Sequence, residues 1–375
     1  MNDLQKRTWV EISLGNIKHN YEAIRSDIPS GCRFLGVVKA DAYGHGALRV
    51  ASLLQDCGAD YLAVSCLDEA LELRDGGITM PVLILGHTPW QYTETLIENN
   101  ITQTVTCLAK AEEYSAAAEQ LGRELTIHIK VDTGMSRLGF LCDGSLSEEG
   151  IGHIVRACRL PGLRAEGIYT HFAVSDESGE ENRAYTRRQF SLFLHVVEEL
   201  RDRYGVSFSL RHCANSGAVV NYPEMALDMV RPGLLLYGYG DSSHRLGLKP
   251  GMRFVTTVTT IKHYEPGTFI SYGRKYETKR RTRVGVLAVG YADGLPRAAS
   301  GKCSFATRWG PVPQIGTICM DMCMADLTDV YEAEVGTEVE LFGEHADINT
   351  LSAAAGTIPY ELLCSVTKRV PRVYK

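Results

Sequence analysis

No apolar run in this chain approaches the roughly 20 residues that a membrane-spanning helix requires, so an integral helical membrane protein is not expected. Basic charge is not in excess either. The chain carries 39 Lys and Arg against 45 Asp and Glu, a net charge of −6, and a mildly acidic surface is unsuited to gripping phosphate backbones. The one basic cluster, Lys279-Arg280-Arg281-Thr282-Arg283, leads into a strand-like run and reads as a solvated hairpin, so no nucleic-acid partner is expected. The 11 cysteines include no paired Cys-x-x-Cys motifs, and no metal centre is expected. Their odd number, with an N-terminus lacking a signal-peptide core, points to reduced thiols in the cytoplasm. Solenoid repeats and low-complexity tracts are also missing.

What is present is ordinary globular composition, 45% apolar and 22% charged, over 375 residues. That length fits about two domains, or one barrel with an appendage. Strand-like apolar bursts fall at 34–39, 61–65, 82–85, 103–106, 126–131, 163–170, 210–214 and 228–231. Helix-like stretches lie between the early ones, at 47–56, 67–75 and 90–99. Such alternation predicts parallel strands joined by right-handed crossovers, and eight units match a (β/α)8 TIM-type barrel better than an open sheet. After Gly240 helical periodicity fades, and strand-like segments at 253–261, 268–272, 282–290, 313–323 and 337–342 predict a mostly β C-terminal domain. The expected division is therefore a barrel over 8–240 and a β domain over 241–375, with residues 1–12 as a candidate extra strand of the latter.

Polar residues gather where the predicted barrel strands end. Lys39, His87, Asp132 with Arg137, His171, Asn215 with Ser216, and Arg231 all fall at or just after a C-terminal strand end. In a barrel those positions converge on one mouth, where active sites are built. Lys39 closes the apolar run Phe34-Leu35-Gly36-Val37-Val38. A lysine there either snorkels to solvent or is held partly dry, where its neutral amine becomes available for Schiff-base chemistry.

These residues sit in motifs with a family likeness. They include Val38-Lys39-Ala40-Asp41-Ala42-Tyr43-Gly44-His45-Gly46, Lys130-Val131-Asp132-Thr133-Gly134-Met135-Ser136-Arg137-Leu138-Gly139 and Tyr169-Thr170-His171-Phe172-Ala173. Ala214-Asn215-Ser216, Arg231-Pro232-Gly233, Ser271-Tyr272-Gly273, Gly290-Tyr291-Ala292-Asp293-Gly294, Cys319-Met320-Asp321 and Arg369-Val370-Pro371-Arg372-Val373-Tyr374 follow in order. Together they resemble the alanine racemase family, pyridoxal-phosphate enzymes with a barrel and a C-terminal β domain, over nearly the whole chain.

The resemblance implies roles. Lys39 would hold pyridoxal 5'-phosphate as an imine and act as a base on one face of the amino acid. Tyr272 of the partner subunit in a homodimer with shared active sites would act on the other, with His171 favouring its phenolate. Arg231 would donate to the cofactor's ring nitrogen. Tyr43, Ser216, Gly233, Leu234 and Tyr360 would hold the phosphate, and Asn215 would also bind the cofactor. Arg137 and Met320 would address the substrate carboxylate. Tyr291, Arg297, Thr317 and Ile358 would line an access corridor, and Lys130 is the position that some members carry as a carbamate.

The implied activity is interconversion of L- and D-alanine, supplying D-alanine for peptidoglycan. Several positions depart from the common pattern: Thr317 where arginine is frequent, Met322 for glutamine, Leu295 for an aromatic and Ser136 for glycine. A serine or broad-specificity racemase, including an excised catalytic domain of a larger protein, is the alternative enzyme. A non-catalytic pyridoxal-phosphate-binding protein is the alternative outside catalysis.

Overall fold

A computed structural model describes residues 7–240 and 243–375; the first six residues and positions 241–242 lie outside the described residues. The chain divides into two compact units. One contains residues 18–42 and 47–249; the other contains residues up to Ile17, Tyr43–Gly46 and Pro250–Lys375.

The first unit is built on eight parallel strands, Arg33–Val37, Tyr61–Val64, Val82–Ile84, Ile101–Val105, Leu125–Asp132, Leu163–Tyr169, Leu210–His212 and Met229–Val230. Four of them, Tyr61–Val64, Val82–Ile84, Ile101–Val105 and Met229–Val230, are buried along their whole length, as expected of strands covered on both faces. The ring closes where Met229 pairs with Arg33, and where Asn215 bridges Arg231 beside a 3.0 Å bond from Asp228 N–H to the Arg211 carbonyl. Crossover helices include Ala47–Asp56 and Leu67–Asp75, at the bounds that periodicity predicts. Helix Ala47–Asp56 buries Val50, Ala51 and Leu54, and a Cβ on Gly36 would come within 2.6 Å of the Leu54 side chain, so that strand position must stay small. The strand at 34–39 ends earlier than expected, at Val37, and 90–99 splits into a 3-10 turn, Trp90–Tyr92, and the helix Thr93–Glu98.

The second unit is a mostly antiparallel sheet. Strand Met252–Tyr264 pairs with Glu338–Phe342 and Thr282–Leu287, and the latter with Cys323–Asp326. Gly310–Ile315 and Ser304–Thr307 complete a circuit of six strands. Thr8–Ile12 adds to it antiparallel against Met252–Thr256, and Arg372–Tyr374 runs parallel to Thr8–Ile12. Two details differ from the sequence reading. The run 313–323 is two strands separated by a loop, and Tyr272 lies outside any strand, in a 3-10 turn Tyr272–Arg274 after the short strand Phe269–Ile270. Among the described residues no helix is long and apolar enough to cross a membrane, and no group of three or more His, Cys, Asp and Glu could hold a metal.

Candidate active site

Lys39 opens a five-residue turn whose next four residues, Ala40 to Tyr43, all have φ between 52° and 54°. Left-handed backbone of this kind costs an L-residue about 1–2 kcal/mol, so a run of four non-glycine residues must be held from outside. The Glu69 carboxylate accepts from Ala40 N–H at 2.6 Å and Ser65 N–H at 2.7 Å, and Asp41 caps the next helix through Ala47 N–H at 2.7 Å. The motif after Lys39 thus sets the half-buried lysine at a fixed strand exit. Strain concentrated in the four residues directly after such a lysine marks a functional position.

Arg231 is the hub of the mouth and is only 4% exposed. Its guanidinium donates to His212 Nδ1 at 2.9 Å, the Thr170 carbonyl at 2.9 Å, the Cys213 carbonyl at 3.2 Å and His171 Nδ1 at 3.2 Å. It also lies 5.1 Å from the centre of the Tyr169 ring. None of these four bonds uses Nε, which leaves that N–H for a ligand acceptor. Because arginine only donates, His171 must accept at Nδ1 and carry its proton on Nε2. Burial first, and then Arg231, holds the His171 imidazole well below its usual pKa and therefore neutral.

Lys130, Asp132 and Arg137 come from one strand and the loop it feeds. Asp132 Oδ1 accepts from Gly134 and Ser136 N–H at 3.0 Å, and Oδ2 from Arg137 N–H at 3.1 Å, so the carboxylate shapes the loop that presents Arg137. Lys130 is buried, and burial together with Arg137, Arg231 and Lys39 pulls its pKa down to about 8. Four cations, Lys39, Lys130, Arg137 and Arg231, therefore act on one another here, and such a mouth attracts anionic groups. His87, by contrast, is exposed.

Asn215 caps the helix Ser216–Asn221 by accepting from Ala218 N–H at 3.0 Å and is itself held by Ser175 Oγ at 2.6 Å. Ser216 Oγ accepts from Gly233 N–H at 2.9 Å and Leu235 N–H at 3.3 Å, at the opening of the 3-10 turn Leu234–Tyr237. The Gly233 amide, expected to meet phosphate, is thus directed to Ser216, while the hydroxyl and the Leu234 amide stay at the turn.

In the second unit, Tyr43 is buried with its ring 5.9 Å from that of Tyr360, and burial raises its pKa. Tyr272 is 70% exposed and projects from a turn with three positive-φ positions, Ser271 (69°), Gly273 (75°) and Arg274 (53°). Thr317 belongs to the seat of that turn. It is 3% exposed, its hydroxyl donates to the Tyr272 carbonyl at 2.8 Å, and its own carbonyl accepts from Ser271 Oγ at 2.7 Å. The Thr317 side chain, expected in the corridor, is buried against the Tyr272 turn. Gly290 lets the Tyr291 loop lie on Cys319 and Met320, whose carbonyls a Cβ there would approach to 2.3 Å. Tyr291 and Ala292 N–H donate to those carbonyls at 3.0 Å. Met320, Tyr291, Arg297 and Ile358 are all exposed.

Residues that the sequence reading missed lie behind Arg231. His212, His128, Glu166 and Tyr61 continue its hydrogen bonding into the barrel. Their signal was period 2 in 125–132, where His128, Lys130 and Asp132 interrupt an apolar strand on one face.

Comparison with known proteins agrees with this architecture. The family model described as alanine racemase, N-terminal domain, matches residues 12–241, and that of the C-terminal domain matches 251–374. The chain is 42% identical to an alanine racemase of Clostridium perfringens over 375 residues, covering 98% of this chain and 95% of that one. It is 43% identical to one of Clostridium tetani over 377 residues, with the same coverage of 98% and 95%. A solved alanine racemase of Clostridium difficile superposes with a TM-score of 0.92 at 38% identity, covering 100% of this chain and 97% of that one. The chain belongs to the alanine racemase family of isomerases.

Proposed function

We propose that this protein interconverts L- and D-alanine with pyridoxal 5'-phosphate and two bases, Lys39 and Tyr272 of the partner subunit of a homodimer. The observation that carries the reading is the Arg231 hub. A buried arginine with an unused Nε–H, beside a strand-end lysine and a cationic mouth, suits a ligand with a ring-nitrogen acceptor and a phosphate. When bound, the cofactor supplies an electron sink that makes the substrate α-proton removable.

The residues present fit that group. Lys39 would hold it covalently, Arg231 Nε would donate to its ring nitrogen, and, as the family resemblance implies, Ser216 Oγ, the Leu234 amide, Tyr43 and Tyr360 would receive the phosphate. Arginine cannot give up its proton at working pH, so Arg231 leaves the ring nitrogen unprotonated. The Lys39 Nζ takes or returns the α-proton on one face. On the other face the phenolic oxygen of Tyr272 of the partner subunit does so. With Nδ1 already accepting from Arg231, His171 has only Nε2–H to offer, and donation from there stabilises a phenolate. Arg137 and the Met320 amide of the partner subunit orient the substrate carboxylate. D-alanine made in the cytoplasm in this way serves peptidoglycan.

Thr317, the departure that pointed to serine, is buried within its own unit, so it gives a serine preference no support. The test is exchange of the α-hydrogen with deuterium oxide, because net rates in the two directions are tied by the equilibrium constant. Tyr272→Phe should stop exchange from L-alanine while D-alanine still exchanges through Lys39, and Lys39→Ala should abolish both. Equal residual exchange from both enantiomers in Tyr272→Phe would remove Tyr272 from its role.

A further inference from the structure

Arg231 carries a full charge inside the barrel, yet all four of its bonds go to neutral acceptors, two imidazole nitrogens and two carbonyls. A buried cation without a compensating anion is expensive. The anion is two histidines away. His212 Nε2 lies 3.0 Å from His128 Nδ1, His128 Nε2 lies 3.4 Å from Glu166 Oε2, and Glu166 Oε2 accepts from the Tyr61 hydroxyl at 2.5 Å. Tyr169 stacks on His212 with centroids 4.7 Å apart and planes 9° from parallel. Gly167 pairs in register with His128, and a Cβ there would come within 2.7 Å of the His128 ring, so the glycine makes room for the imidazole. Both histidines are fully enclosed.

The protons in this chain follow from its two ends. Guanidinium only donates, so His212 Nδ1 must accept, and a neutral His212 then carries its proton on Nε2. That N–H donates to His128 Nδ1, which leaves the His128 proton on Nε2, directed at the Glu166 carboxylate. Every donor points the same way, from cation to anion, and each bond polarises the next. A proton added to either ring would set N–H against N–H and break the chain at that joint. The surroundings oppose such protonation. Burial first holds both imidazoles below their usual pKa, while the bond from His128 pulls Glu166 down to about 2. The other groups facing the chain are Arg164, 3.4 Å from Glu166 Oε1, Thr102 beside the Tyr61 hydroxyl and Thr104 on the Tyr169 hydroxyl.

We infer that Glu166, acting through neutral Nε2–H tautomers of His128 and His212, is the remote counter-anion of Arg231 and fixes the direction in which its free N–H is presented to the ligand. Glu166, His128 and His212 are positioning residues; none of them touches the reacting atoms. The inference rests on the reading of Arg231 as the partner of the cofactor ring, but its first test does not depend on turnover.

That test is a nitrogen-proton correlation spectrum of full-length protein carrying 15N-histidine, with cofactor bound. His128 and His212 should each show a pyrrole-type Nε2 and a pyridine-type Nδ1 at pH 7, and the same pattern at pH 5. Either ring found as Nδ1–H, or as imidazolium, overturns the inference without any variant. The second test uses Glu166→Gln and, as an independent break, His128→Phe. Each should shift the His212 Nε2–H resonance, whose acceptor is lost or weakened, and weaken retention of pyridoxal phosphate about tenfold, the loss expected when a charge-assisted bond is no longer supported. Unchanged His212 signals and unchanged cofactor retention in a folded variant would contradict it. Failure of the proposed activity would instead show in the unaltered enzyme, as absence of racemisation with the tautomers still as stated.

Discussion

The hydroxyl of Thr317 lies 2.8 Å from the carbonyl oxygen of Tyr272 and donates to it. Ser271 Oγ returns a bond to the Thr317 carbonyl, and Gly316 packs where a Cβ would meet the Ile270 carbonyl at 2.8 Å. The turn that projects Tyr272 contains a serine at φ 69°, so without this seat the strained backbone would relax and carry the phenol with it. Thr317→Val keeps the shape and removes the donor. It should lower kcat several-fold, about tenfold at most for one buried hydrogen bond, and slow exchange from L-alanine more than from D-alanine. Thr317→Ser should restore both; steady-state rates with solvent-deuterium exchange check this.

Lys130 should be a site of carbon dioxide addition. Its pKa, pulled down to about 8 by burial and by Arg137, leaves far more neutral amine near neutrality than an ordinary lysine has. The amine nitrogen bonds to the carbon of CO2 and releases a proton, and the anion formed is welcome among Arg137, Arg231 and Lys39. Carbon-13 NMR under 13CO2 should show one slowly exchanging carbamate that fades as pH falls below about 8 and is missing in Lys130→Ala. A spectrum identical to that of Lys130→Ala would contradict it.

Glu166 should make stability depend on acid. Its folded-state pKa is depressed from 4.5 to about 2, chiefly by His128 and then helped by Tyr61. A depressed carboxylate stabilises the fold above its unfolded pKa, and that contribution is lost as pH falls through the folded value. The stability difference between the unaltered protein and Glu166→Gln should therefore be constant above pH 4.5 and shrink between pH 4.5 and 2. Denaturant midpoints across that range check it; a difference independent of pH would show that Glu166 is not held as an anion.

Much of this was readable in the residues, for physical reasons that differ by position. Buried parallel strands announce themselves as short apolar bursts, and the helices Ala47–Asp56 and Leu67–Asp75 by their amphipathic period. Lys39, His171 and Arg231 stand out because polar groups at strand ends are conspicuous. The turn at Tyr272 was not readable as a turn, because nothing in Ser271 or Arg274 advertises a positive φ that tertiary contacts impose. Thr317 falls inside the strand-like run 313–323, and only the fold shows that it sits between two strands with its hydroxyl facing inward. The relay behind Arg231 joins residues up to 170 positions apart, from Tyr61 to Arg231, on four strands and the exit of a fifth, and no local pattern encodes its pairing.

The most direct measurement is chiral analysis of the protein loaded with pyridoxal phosphate, offered L-alanine and L-serine in parallel. D-alanine should form much faster than D-serine, and Lys39→Ala should give no product. No D-alanine from a protein that has bound the cofactor would contradict the proposed activity.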